Sequence, residues 1–342
     1  MIKTKKILFY FTSVIALIIF GYYTPVLAMT ITPVRYEIQG NPGETVTREM
    51  TIINEDGVSV TYYSSYANFE AQGETGSASF VEPKDDIGTW ITTEPSVDLS
   101  TGEQKTIPFS VKIPENAEAG GHFGVIFWGT SPENNAEGKQ LAVSAKTGLL
   151  VLLTVNGAVK EGGGLLDFST INDKFWYNSL PVSFTYRFQN TGGDRVKPIG
   201  DIKLRSFAFI PTKKLNANPV NGNILPNSTR KFNVDWVKYT EPKDALVVTG
   251  VVKNFFHQAI YQWKNFAVGL FSATLDLTYG SLEQNVKKST FFFVFPWQLL
   301  ICLIVLFIIV LFIGKKLIGR YNNYIIKKAH STVKIPEGDS HV

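Results

Sequence analysis

Few residues in this 342-residue chain combine the type and spacing that chemistry needs. The four histidines, His122, His257, His330 and His341, are scattered, and no pair has the short spacing of metal ligands. The single cysteine, Cys302, lies inside a long apolar run, so there is no intrachain disulfide and no thiolate for a zinc site. Asp85-Asp86, after Glu82-Pro83-Lys84, offers carboxylates of the kind a Ca2+ loop collects. Such a loop needs roughly six to eight oxygens, and a solvated turn accounts for the pair more simply. Glu70 and Glu74 are the nearest approach to a glycosidase's two carboxylates, yet a loop holding Gly73 and Gly76 does not fix their separation. There is no phosphate-binding loop, nucleophile elbow or dinucleotide fingerprint. The expectation is a protein that is not an enzyme, with no catalytic residue, no metal site and no cofactor.

Recognition is the chemistry that the sequence favours instead. Val251–Phe266 gathers Phe255, Phe256, His257, Tyr261, Trp263 and Phe266 among Lys253 and Lys264. Aromatic side chains bury large areas and stack on sugars, so Phe255, Phe256, Tyr261 and Trp263 form the candidate ligand-binding patch. The alternative is that they pack in a core or near a bilayer. In Gly121–Trp128, Phe123, Val125 and Phe127 share one face while Ile126 and Trp128 share the other. A strand apolar on both faces must be covered on the outer one, and a second domain is the expected cover.

The elements that position these residues read as strands. From Met29 to Thr290 the hydrophobic period is two, with turn signals every 8–15 residues, and no sustained helical period is found outside the apolar ends. Ile107, Phe109, Val111 and Ile113 alternate with polar neighbours, and Pro108 places that strand at an edge or a bulge. Ile31–Ile38, Val46–Asn54, Val58–Tyr66, Leu141–Asn156, Val182–Asn190, Ile199–Phe209 and Ser228–Trp236 also read as strands. Three segments recur in the same order. Thr51–Gly57 matches Arg187–Gly193, Leu99–Ile107 matches Leu225–Asn233, and Gly121–Phe127 matches Gly269–Leu275. The expected fold is therefore an all-β ectodomain of two tandem immunoglobulin-like β-sandwiches, 29–160 and 165–290, joined by a glycine linker at 161–164.

The apolar ends supply location. Lys3-Thr4-Lys5-Lys6, the apolar stretch Ile7–Phe20 and Pro25-Val26-Leu27-Ala28 read as a signal peptide over 1–28, cleaved before Met29, with an uncleaved anchor as the alternative. Phe291 to Ile313 is 23 residues without a charge, about 34 Å as helix, enough for one transmembrane helix. Pro296 suits its first turn and Trp297 the interfacial belt, so Phe291, Pro296, Trp297 and Ile313 mark the anchor. Lys315, Lys316 and Arg320 then read as a stop-transfer flank opening a basic tail, 314–342. Only Lys287 and Lys288 lie close upstream. The positive-inside rule puts this tail in the cytosol and the ectodomain outside the plasma membrane, a single-pass arrangement. The stretch 29–290 holds 24 basic and 27 acidic residues, so it offers no footprint for nucleic acid.

This layout resembles the WxL-interacting cell-surface proteins of Gram-positive bacteria. The likeness covers about residues 30–130: Ile31-Thr32-Pro33, Asn41-Pro42-Gly43-Glu44-Thr45, Asn54, Leu99 with Gly102-Glu103, and Gly120-Gly121-His122-Phe123. The resemblance implies peptidoglycan binding by 29–160 and recognition of surface or host ligands by 165–290. A weaker likeness is to the immunoglobulin domains of pilus chaperones, which are normally soluble. The expected function is a membrane-anchored binding or scaffolding protein of the bacterial cell envelope, holding peptidoglycan, another envelope glycan or an exported protein. The alternative is a subunit of a membrane assembly or sensing complex that docks membrane proteins. An envelope-glycan enzyme ranks last.

Overall fold

The computed structural model describes residues 29–132, 146–207, 209–241 and 250–332, the last four by backbone alone. The expected signal peptide, the end of the tail and residues 141–145 of one expected strand lie outside the described residues. The first sandwich contains, in chain order, β1 (Met29–Thr32), β2 (Arg35–Gly40), β3 (Thr45–Asn54), β4 (Val60–Gln72) and β5 (Ser77–Val81). There follow the short helix α1 (Ile87–Trp90), β6 (Ile91–Thr93), β7 (Ser96–Leu99), β8 (Gln104–Lys112), β9 (Gly120–Gly129) and β10 (Lys146–Val155). One sheet runs β1-β3-β8-β6 and the other β2-β10-β9-β4-β5, with β7 also beside β4.

Period-two patterning builds this core. Ile107, Phe109 and Val111 of β8 and Met50 and Ile52 of β3 are buried together with Tyr62, Ile126, Trp128, Leu149, Val151 and Leu153 of the opposite sheet. Each such side chain removed from water is worth about 1.5–3 kcal/mol. The opening segment is two strands rather than one. β1 pairs antiparallel with β3, Pro33 has no N–H to extend that ladder, and β2 then pairs in parallel with β10. Pro108 is accommodated by a local edge. The Thr93 hydroxyl donates to the Pro108 carbonyl, so the proline nitrogen faces the β6 side, and β6 pairs only Phe109 to Val111.

The second sandwich contains β11 (Gly163–Thr170), β12 (Trp176–Tyr177), β13 (Val182–Asn190), β14 (Ile199–Ser206), β15 (Ile210–Asn216) and β16 (Ser228–Trp236). After these come α2 (Val251–Lys264), β17 (Gly269–Tyr279), β18 (Gln284–Val294) and the long helix α3 (Trp297–Thr332). Its sheets are β11-β13-β16 and β12-β18-β17-β14-β15. Rings fill its core: Phe184 on Phe292 at 5.5 Å, Trp236 on Phe271 at 5.1 Å and Tyr186 stacked on Phe232 at 4.8 Å between centroids. The chain clusters into two compact units. One takes the described residues through Gly164 with Phe188–Lys197 and Gly222–Arg230; the other takes Leu165–Arg187, Pro198–Asn221 and the described residues from Lys231 on.

The three recurring segments occupy equivalent strands. They fall at the end of β3 and β13, at the start of β8 and β16, and in β9 and β17. The asparagine closing each repeat is a buried hub. Asn54 Nδ2 donates to the carbonyls of Val58 (2.9 Å), Leu99 (3.0 Å) and Ser100 (3.1 Å), while Oδ1 accepts from the Asp56 N–H and the Tyr62 hydroxyl. Asn190 repeats the pattern on the Asp194 and Ile224 carbonyls and the Gly192 N–H. A carboxamide offers two N–H donors and an acceptor oxygen on separate atoms, and this position uses both ends.

Two expectations need correction. Val251–Lys264 is a helix of 14 residues, not an aperiodic or strand segment. Val252, Phe256, Ile260 and Trp263 recur every three or four residues there, and the crowding of aromatics hides that period. The long apolar helix also begins later than Phe291, at Trp297. Phe291 lies in β18, where Phe292 and Val294 are buried in the sandwich, so the alternation of a strand governs as far as Val294. The helix runs unbroken past Ile313 through Lys315, Lys316 and Arg320.

Candidate functional site

α2 is built as a companion to the first turn of α3. Gln262, 1 % exposed, accepts from the Leu299 N–H at 2.9 Å through Oε1, and its Nε2 donates to Gln298 Oε1. This satisfies one of the backbone donors that the start of any helix leaves without a partner. Phe255 packs edge-on against Trp297, 5.8 Å between ring centroids, and against Phe256 at 5.6 Å. Buried Asn265 ends α2, its amide bonding both the N–H and the carbonyl of Tyr239. On one flank Lys264 lies over the Tyr239 ring at 4.3 Å, and His257 faces Glu241 at 3.3 Å. Burial, together with the negative charge of Glu241, raises the Tyr261 phenol above its ordinary pKa.

The four patch residues are thus split. Phe256 and Trp263 point outward, 55 % and 64 % exposed, whereas Phe255 and Tyr261 are half-buried and lie off that face. Val252 and Ile260, at 69 % and 58 % exposure, complete the open stripe. The sequence reading missed these two, although the spacing 252, 256, 260, 263 is itself the signal of a helical face. Pro296 is buried, Trp297 is partly exposed, and from Ile301 nearly every side chain of α3 is bare. By length and composition this helix can cross a membrane.

The acidic residues singled out in the sequence meet at a second place. A groove of about 580 Å3 in the first unit is lined by Glu70, Asp85 and Asp86, with Phe69 and Phe123 in its wall and Leu225–Ser228 across from them. Phe69 and Phe123 lie 5.8 Å apart and, with Leu152, form the second apolar cluster, against which Leu225 packs. Leu225 thus covers the outer face of β9 at Phe123, while Phe127 on the same face packs against Phe80 of β5 at 4.9 Å. Glu74 does not line the groove, so the carboxylates are not paired across it.

Asp86 and His122 are committed to holding this wall. Asp86 Oδ1 accepts from the Ile87 N–H at 2.7 Å and faces His122 Nδ1 at 2.5 Å, while His122 Nε2 donates to the Glu118 carbonyl at 2.9 Å. Burial works against the imidazolium, but the bonds to Asp86 and the Glu118 carbonyl, with their charges, raise its pKa on balance. Asn68 donates to the Asp85 carbonyl and accepts from the Gly88 N–H, both at 2.7 Å. Among the described residues no group of three or more His, Cys, Asp or Glu is placed to hold a metal. The groove has the size of a ligand site, with an apolar wall and a negative rim suited to hydroxyl-rich or cationic groups.

No protein-family model and no curated protein matches the chain. Among solved structures it is similar to the class 5 fimbriae chaperone CfaA, with 13 % identity over 77 % of this chain and 99 % of that one and a TM-score of 0.37. It is also similar to the CsuC-CsuE chaperone–tip adhesion subunit pre-assembly complex of Acinetobacter baumannii, with 12 % identity, 60 % and 89 % coverage and a TM-score of 0.32. A family 123 glycoside hydrolase of Clostridium perfringens matches 39 % of this chain and 27 % of its own at 10 % identity and a TM-score of 0.27. These are distant likenesses, and the architecture of this chain stands on its own strand order and register.

Proposed function

We propose that the chain is a single-pass membrane protein whose two sandwiches stand outside the bacterial plasma membrane and bind a partner of the cell envelope without catalysis. The observation that carries this reading is α3: bare and apolar, it leaves β18 after only Phe295 and Pro296. Lys315, Lys316 and Arg320 at its far end support a cytosolic tail. The groove of the first unit is the surface assigned to the partner, either peptidoglycan or another envelope glycan, or an exported protein. The resemblance to WxL-interacting proteins supports placing glycan binding in 29–160. A second reading, a subunit of an assembly or sensing complex, draws on the continuation of α3 as helix to Thr332 with Tyr321 and Tyr324 exposed, a rigid surface for a cytosolic partner.

The test uses the full chain in lipid nanodiscs mixed with purified sacculi. Co-sedimentation that Glu70→Gln and Phe123→Ala weaken supports the glycan reading. A chain that stays in the supernatant while crosslinking in native membranes captures another protein supports the second reading. If protease added to intact cells spares the sandwiches, the outward orientation is wrong.

A further inference from the structure

We propose that α2 is an interfacial helix, lying along the membrane surface with Val252, Phe256, Ile260 and Trp263 seated in the outer lipid headgroup region. The inference rests on the membrane reading of α3 and reassigns the aromatic patch from soluble ligand to lipid.

Three observations converge on it. The first is the stripe itself: the four side chains follow one another at helical spacing on a single face, and all four are exposed. A soluble domain gains nothing by displaying two aromatic and two β-branched residues in one line. The neighbouring arc of the same helix, with Ala259 and Gln262, is the one buried. The second is position. Trp297 to Gly314 is uncharged, 18 residues or about 27 Å of helix, close to the thickness of a hydrocarbon core. With Lys315 at the inner boundary, Trp297 falls at the outer one. α2 is tied to that level by the Gln262 bonds to Gln298 and Leu299 and by the Phe255–Trp297 contact. The stripe thus continues the bare surface of α3 at the depth where indoles favour the interface.

The third is the border of the stripe. Lys253 and Lys264 follow Ile260 around the helix, and Lys264 is held in place over Tyr239. Apolar residues on one arc and lysines on the next are the arrangement of helices that lie in the interface plane, the lysines meeting phosphate.

The experiment is site-directed spin labelling of the full chain in vesicles of phosphatidylcholine and phosphatidylglycerol. Cys302→Ser removes the native thiol, and single cysteines replace Phe256, Ile260, Lys253, His257 or Val305. The expected result is collisional accessibility to oxygen above that to aqueous nickel at 256 and 260, the reverse at 253 and 257, and the strongest oxygen preference at 305. If 305 is lipid-embedded while 256 and 260 are as open to nickel as 253, the interfacial placement is overturned and the anchor stands. If 256 and 260 are shielded from both reagents, a protein covers the stripe and the lipid assignment fails. If 305 itself is open to nickel, the membrane reading beneath the inference falls.

Discussion

The asparagine hubs give the sharpest quantitative test of how the two sandwiches are held. In Asn54→Ala the carbonyl of buried Leu99 and the Asp56 N–H lose the Asn54 bond, the Tyr62 hydroxyl keeps only its 3.3 Å bond to Asp56, and the Val58 and Ser100 carbonyls lie near enough to solvent for water to serve them. At about 1–3 kcal/mol for each of the two groups, and with some relaxation, the loss comes to about 2–4 kcal/mol. That is a large part of a domain's total of about 5–15 kcal/mol. Tyr62 already reports the dryness of the site: burial first, then the charge and bond of Asp56, push its phenol up to about 12. Asn54→Asp keeps the shape and turns the donor into an acid facing three carbonyls. Its folded pKa must rise, so its penalty grows as pH climbs above the ordinary carboxylate range of about 4. The assay is hydrogen exchange resolved by peptide on the full chain in micelles. Asn54→Ala should accelerate β3 and β8 and leave β17 and β18 unchanged. The hub argument fails if both Asn54 variants exchange as the wild type does, within about 1 kcal/mol, or if Asn54→Asp is no worse at pH 7 than at pH 4.

Other outcomes follow from single contacts. Asp276 is held down to about 2 by hydrogen bonds from Lys203 at 2.7 Å and Asn285, aided by Lys287 at 3.3 Å. A depressed acid stabilises above its unfolded pKa of about 3.8, and that stabilisation disappears as pH falls from about 4 through 2. Asp276→Asn should cost about 1 kcal/mol at pH 7 after solvent screening, and nothing at pH 2, in denaturant titrations. His122, raised by Asp86, works in the opposite sense. The destabilisation by His122→Asn should be largest below the ordinary imidazole pKa of about 6.5 and shrink as pH rises through the folded value, with thermal melts as the readout. Gly200→Ala would put a Cβ 2.0 Å from the Asp276 carbonyl oxygen, a backbone atom that cannot swing away. A loss of about 2–4 kcal/mol is expected, and an unchanged melting curve would show that the β14–β17 spacing is looser than described.

Part of this protein was legible in its residues, because the pattern of burial is written locally. Ile107, Phe109 and Val111 alternate whatever they pack against, and the run from Trp297 to Gly314 is apolar on every side, so strand and long apolar helix follow from period and length. The repeated Asn-and-Gly closures of β3 and β13 were legible for the same reason, since a turn and its hub lie within a few residues of each other. The join between β18 and α3 was not. Phe291 through Trp297 is apolar under either assignment, and only the burial of Val294 and of Phe292, the latter against Phe184 and Phe271, makes a strand of its first part.

The candidate sites divide along the same line. Composition alone marked Val251–Phe266 as a recognition surface, but which aromatics face outward depends on where Gln262 finds its partners, 36 and 37 residues downstream at Gln298 and Leu299. The meeting of Glu70, Asp85 and Phe123 in one groove, closed by Leu225, joins segments as far as 155 residues apart. Periodicity and hydropathy are sums over neighbours in the chain, so the sequence by itself determined the strands and the long apolar helix. A groove or a helix face is a relation between distant segments, and only the tertiary structure decided those.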